Sequence, residues 1–136
     1  MTFVVDASVT LSWYLDDEPN DYADTMLNRL AEDSAVVPSI WFLEVANGLL
    51  IAERRGRITQ ADVARVSETL TGLPISARDQ SLDAALGPVL TVARTHDLSA
   101  YDAAYLELAM REGLPLASVD ESLRRAARVA GVELAE

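Results

Sequence analysis

Four carboxylates of this chain sit where a solvated surface would not put them. Asp6 follows directly on the apolar run Phe3-Val4-Val5, and Asp120 follows Leu116-Ala117-Ser118-Val119, so each closes a segment that reads as a short buried strand. Glu44 is the only charged residue between Asp33 and Glu53, inside Ile40-Trp41-Phe42-Leu43-Glu44-Val45-Ala46-Asn47-Gly48-Leu49-Leu50-Ile51-Ala52. A helix apolar on nearly every side is expected to be buried on nearly every side. Asp102 lies in Leu98-Ser99-Ala100-Tyr101-Asp102-Ala103-Ala104-Tyr105, in the first turn of an expected helix with apolar and aromatic neighbours.

A carboxylate buried without a partner is costly, or else it takes up a proton and becomes neutral. Glu44 therefore calls for a cation, and Asn47, one helical turn on, is placed to orient it. Together the four acids supply what a hard divalent cation takes: oxygen ligands, several negative charges and a dry wall behind them. Each acid taken alone also has a simpler reading. Ser99 and Asp102 have the spacing of a capping box, Asp6 and Asp120 can cap the helices that follow them, and an arginine such as Arg94 could pair with Glu44.

The remaining composition narrows the chemistry. The chain has 22 acidic and 11 basic residues, a formal net charge of −11, and every basic residue is arginine. Without lysine there is no Walker-type phosphate loop, no Schiff-base chemistry and no protein-kinase site. A phosphoacceptor receiver domain, which needs a lysine beside its aspartates, is disfavoured on the same ground. Without cysteine there are no disulfides, no thiolate zinc site and no cysteine nucleophile. The single histidine, His96, cannot build a cage of two or three and reads as a helix-end residue. Net charge alone argues against nucleic acid as a partner, because phosphates attract basic surfaces.

At 136 residues the chain fits one domain, residues 1–136, able to bury roughly two-thirds of its unfolded surface. Its 50% hydrophobic and 24% charged residues are those of a globular protein. No apolar run reaches the ~18 residues of a membrane span. Met1-Thr2-Phe3-Val4-Val5-Asp6 lacks the basic-then-apolar form of a secretion signal, so a cytoplasmic protein with no membrane contact is expected.

The elements that must position the four acids follow from periodicity and punctuation. Phe3-Val4-Val5 and Ala35-Val36-Val37 read as strands, Pro74-Ile75-Ser76 as a third, Leu116 to Val119 as a fourth and Val132-Glu133-Leu134 as a final edge strand. Between them, helices are expected from Ser8, as N-cap, to Leu15, and across Ala23, Met26, Leu27 and Leu30. Ser39 is the expected cap of a helix running to Arg54 or Arg55, and Thr59-Gln60-Ala61-Asp62 forms a capping box for a helix reaching Leu70. Further helices are expected from Pro88 to His96, from Ser99 to Met110, and from Glu121 to Ala130, with Gly131 as stop. Strands alternating with helices imply an α/β fold: a central, mostly parallel sheet of about four to five short strands with helices on both faces. In such sheets ligands bind beyond the carboxyl ends of the strands, where Asp6 and Asp120 emerge.

These residues resemble a known family. Val4-Val5-Asp6-Ala7-Ser8 looks like the first motif of PIN domains, and Pro38-Ser39 followed by Glu44-Val45-Ala46-Asn47 looks like the second. Leu98-Ser99-Ala100-Tyr101-Asp102-Ala103-Ala104-Tyr105, followed by Leu108-Ala109, is similar to the VapC toxins within that family. Leu114-Pro115-Leu116-Ala117-Ser118-Val119-Asp120, followed by Leu123, resembles the fourth motif, and the motifs run in order from Val4 to about Val132. Where the family commonly carries threonine two residues before its last aspartate, this chain has Ser118, which keeps the hydroxyl.

The resemblance implies a Mg²⁺- or Mn²⁺-dependent endoribonuclease, the toxin of a type II toxin–antitoxin pair, with a cognate antitoxin and a homodimer as partners. Asp6, Glu44, Asp102 and Asp120 would be the acidic quartet, Asp6 and Asp102 binding metal directly and Glu44 and Asp120 through water or a second ion. Metal-activated water would cut the phosphodiester and leave a 5′-phosphate and a 3′-hydroxyl. Ser8, Asn47 and Ser118 are the expected supporting or substrate-positioning residues. Arg54, Arg55 and Arg57 follow the Glu44 helix, and Arg124, Arg125 and Arg128 follow Asp120. They could bind RNA phosphates or an antitoxin, or they could be solvated faces and helix-end charges. Trp13 and Trp41 are expected in the core or an interface. Three other readings compete: a PIN-like binding module with little or no nuclease activity, an unrelated metal-dependent phosphatase, and a purely structural subunit, which predicts no melting shift with Mn²⁺. Phosphatases usually place a second aspartate two residues after the first, where this chain has Ser8.

Overall fold

The computed structural model describes residues 1–136. Four strands, β1 (Thr2–Val5), β2 (Ser34–Pro38), β3 (Ile75–Arg78) and β4 (Leu116–Ala117), form one sheet in the order β3-β2-β1-β4. Every pairing is parallel, with Val4 opposite Val36 on one side and Leu116 on the other. Phe3, Val4 and Val5 are all fully buried. Successive strand side chains point to opposite faces, so both faces of the sheet are covered.

The connections are helical. α1 (Ala7–Leu15) and α2 (Asp21–Arg29) join β1 to β2, and α3 (Ile40–Arg54) and α4 (Gln60–Thr71) join β2 to β3. α5 (Leu82–Ala84), a π-helical turn (Ala85–Val89), α6 (Leu90–His96) and α7 (Ala100–Glu112) lead to β4, which α8 (Glu121–Ala130) follows. Right-handed crossovers put the first four helices on one face and the later ones on the other. The packing agrees: α1 meets α2 and α3, whereas α7 meets α6, α8, β1 and β2. The chain reverses its direction of travel across the sheet at β1, so the carboxyl ends of β1 and β4 flank the switch point.

Several local expectations are corrected. β4 stops at Ala117 instead of Val119, because the peptides beyond it bond to side chains instead of to a neighbouring strand. The edge strand at 132–134 reduces to one parallel bridge between Leu116 and Leu134. The helix expected to begin at Pro88 begins at Leu82, where the Ser81 hydroxyl accepts from Ala84 N–H. Pro88 lies inside the π turn, whose wider spacing accommodates the missing proline N–H. Asp6, not Ser8, caps α1, and Ser39 has helical dihedrals and makes no capping bond. The capping box of Thr59 and Asp62 forms as expected.

α3 departs furthest from expectation. It buries Trp41, Val45, Leu49 and Ala52 as one stripe but leaves Phe42 55% and Leu43 70% exposed. Its main neighbours are α1, α4 and β2, and the face that carries Phe42 and Leu43 is left largely open. At Gly48 an added Cβ would run into the Leu11 side chain, which would have to shift to make room where α1 meets α3. Trp41 is buried with its indole N–H donating to Thr10 Oγ1 at 3.0 Å, and Trp13 donates to Ala23 O at 2.8 Å. No helix is long and apolar enough to cross a membrane.

Candidate functional site

Asp6 lies at the switch point, 4% exposed, immediately after β1. Its Oδ1 accepts from Val9 N–H at 3.0 Å and from the Ser8 hydroxyl at 2.6 Å, and its Oδ2 accepts from the Ser118 hydroxyl at 2.5 Å. Each hydroxyl is aimed by a backbone amide: Val119 N–H donates to Ser8 Oγ at 3.2 Å, and Asp120 N–H donates to Ser118 Oγ at 3.0 Å. A hydroxyl has one proton, and with the amide occupying a lone pair that proton goes to Asp6. Burial destabilises the charged carboxylate more than the three donors stabilise it. The Asp6 pKa is pushed up from 3.8 to about 6, burial being the main cause and the Asp102 charge adding to it.

Asp102 is half-buried at the start of α7, its N–H donating to Ser99 Oγ at 3.1 Å. Burial, then repulsion from Asp120 and Glu44, holds its carboxyl above the usual range. Asp102 thus feels Asp120 and Glu44, while its own charge acts on Asp6. Glu44, on α3, accepts a 2.6 Å hydrogen bond from the Tyr105 hydroxyl, one turn beyond Asp102. Tyr105 is fully buried, and burial followed by the Glu44 contact pushes its phenol well above the ordinary range, so it stays a donor. Asp120 caps α8, one oxygen accepting from Ser122 N–H at 2.9 Å. The cap reading of Asp6 and Asp120 is therefore correct and leaves both carboxylates at the switch point.

None of the four acids is in an ion pair. The ion-paired carboxylates are Asp17, Asp33, Asp62, Glu107, Glu112 and Glu121, and the expected alternative of Arg94 on Glu44 does not form. No three acidic or histidine side chains stand close enough together to ligate one ion directly.

The supporting residues divide. Ser8 and Ser118 bond Asp6, whereas Asn47 is exposed and bonds nothing in the site. Arg54, Arg55 and Arg125 are exposed, Arg57 binds Leu15 O, and Arg128 pairs with Glu121 at 3.3 Å. Only Arg124 touches the site, donating to Ser118 O at 2.8 Å. Tyr105 escaped the reading of the residues, although its position three after Asp102 places both on one face of a helix.

Comparison with known proteins identifies the family. The PIN domain matches residues 3–129. Ribonuclease VapC3 of Pyrobaculum aerophilum is 28% identical over 123 residues, 90% of this chain and 92% of that protein. The crystal structure of PAE2754 from Pyrobaculum aerophilum superposes with a TM-score of 0.67 at 24% identity, covering 93% of this chain and 87% of that one. VapBC2 from Rickettsia felis, bound to a DNA fragment from its promoter, gives 0.67 at 14% identity, covering 99% and 98%. At these identities the two structures speak for the fold. With the match spanning nearly the whole sequence, the chain belongs to the PIN-domain family.

Proposed function

We propose that this chain is a divalent-metal-dependent endoribonuclease of the VapC type, the toxin of a toxin–antitoxin pair. The observation that carries this reading is Asp6: buried, held by three donors at the switch point, and grouped electrostatically with three further acids that no arginine neutralises. The names of the VapC3 relative and of VapBC2 support RNA as substrate and an antitoxin as partner. A cytoplasmic homodimer is part of the same proposal.

The donor set fits Mg²⁺, with Mn²⁺ as substitute, since all four groups are hard oxygen ligands. Because no three of them converge, an ion held here would take only one or two carboxylates directly and keep several waters. Asp6 and Asp102 would hold it directly, Glu44 and Asp120 through water or a second ion. When bound, such an ion supplies an acidified water and offsets charge on the phosphate being cut. Ser8 and Ser118 hold Asp6 in orientation, and Tyr105, keeping its proton, fixes Glu44.

The test is cleavage of RNA with Mg²⁺ or Mn²⁺ and its loss in Asp6→Asn and Asp102→Asn, with folding checked by circular dichroism. Cleavage by both variants at the parent's rate would sink the reading. The spacing of the acids favours one second reading, a PIN-like binding module, which predicts no cleavage by the parent with either metal.

A further inference from the structure

Arg124 differs from the other arginines near the acids because its guanidinium serves the backbone of the site itself. It donates to Ser118 O at 2.8 Å, lies 5.0 Å from the centre of the Tyr22 ring, and pairs with no carboxylate. Tyr22 is itself fixed, its hydroxyl donating to Ala135 O at 2.7 Å. Ser118 is fully buried and lies one residue past β4, so its carbonyl has no strand neighbour and takes its donor from Arg124. The stretch held in this way carries three groups that serve Asp6: the Ser118 hydroxyl, the Val119 N–H that aims Ser8, and the Asp120 N–H that aims Ser118.

We infer that Arg124 is a positioning residue for the Asp6 carboxylate, acting through residues 118–120, and is not a contact for RNA phosphates. The inference rests on the reading of Asp6 as a ligand of the active-site cation. Without the guanidinium the buried Ser118 carbonyl loses its partner, the loop relaxes toward water, and both hydroxyls lose the amides that turn them toward Asp6. Lysine can supply one donor to the carbonyl but not a planar group lying over the Tyr22 ring.

The experiment compares the full chain with R124Q, R124K and Y22L by amide exchange, by Mn²⁺ calorimetry without RNA, and by steady-state RNA cleavage. In R124Q, exchange at Val119 and Asp120 is expected to quicken about tenfold, the equivalent of one lost buried hydrogen bond. The Val4 and Asp6 amides, bonded to Pro115 O and Ala117 O, should keep their protection. Mn²⁺ affinity and kcat fall while KM for RNA holds, and R124K recovers part of the loss. Y22L, which leaves Arg124 in place, gives a weaker form of the same pattern and decides the matter should R124Q not fold. Unchanged exchange at both amides overturns the inference, and so does a raised KM with Mn²⁺ affinity intact. A parent that binds no Mn²⁺ refutes the nuclease reading, while the exchange result still decides whether Arg124 sets the loop.

Discussion

Ser118 Oγ lies 2.5 Å from Asp6 Oδ2, a hydrogen bond that ties the end of β1 to the end of β4 across 112 residues of chain. The same hydroxyl accepts from Asp120 N–H, so one oxygen links two of the four acids. Ser118→Ala removes a donor to the Asp6 carboxylate and leaves the Asp120 amide without its acceptor. Stability at pH 7 should fall by about 1–3 kcal/mol in urea denaturation. Ser118→Thr, which keeps the hydroxyl, should restore most of it.

The folded-state pKa of Asp6 predicts an unusual pH profile. Unfolded, the group titrates near 3.8, and folded near 6. Between those values the folded protein holds a proton that the unfolded chain has lost, so stability falls as pH rises through that window and levels off above it. The loss is on the order of 3 kcal/mol. Asp102, also raised, contributes with the same sign. Asp33 and Asp62, lowered by their donors and arginines, act oppositely and lose stability only as pH drops below their ordinary range. Urea midpoints measured with chelator across pH 4 to 7 check this, and Asp6→Asn should flatten the slope.

Bound metal reverses the effect because it favours the ionised carboxylates. Mn²⁺ at 100 times its Kd should stabilise the parent by about 2.7 kcal/mol. Asp6→Asn and Asp102→Asn should each remove most of the shift in a thermal scan. Asn47→Ala should keep it, since Asn47 is exposed and bonds nothing in the site. A loss in Asn47→Ala equal to that in the aspartate variants would mean the site is misplaced.

The Tyr105–Glu44 hydrogen bond can be isolated by a double-mutant cycle. Tyr105→Phe keeps the buried ring and deletes only the hydroxyl that holds Glu44. Combined with Glu44→Gln, the pair should show a coupling of about 1 kcal/mol in stability. The expected functional counterpart is weaker Mn²⁺ binding in each single variant.

Much of this arrangement is readable from the sequence. An apolar run ending on an acid has few explanations, so Asp6 and the strand behind it are legible directly, whereas the strand before Asp120 ends at Ala117, earlier than its apolar run. Ser8 is harder, because a serine two residues after an aspartate looks the same whichever of them caps the helix. α3 misleads for a different reason: its composition is apolar all round, yet burial depends on which neighbours the sheet order supplies, and Phe42 and Leu43 stay more than half exposed. The partner of Glu44 lies 61 residues away on another helix, a distance over which periodicity carries no information. The arginines are least readable, since Arg124 and Arg125 are adjacent in sequence and only one of them meets the site.

The order of synthesis gives the β1–β4 pairing a further consequence. β1 leaves the ribosome well before the strand that completes its carboxyl end, since Asp6 and Ser118 are 112 residues apart. Until Ser118 and Val119 emerge, Asp6 lacks the Ser118 donor and the amide that aims Ser8. A chain that stops short of residue 118 therefore carries the first acid of the set with only the Val9 N–H and an unaimed Ser8 hydroxyl to orient it. Full orientation of this carboxylate waits on the synthesis of residues 118 and 119.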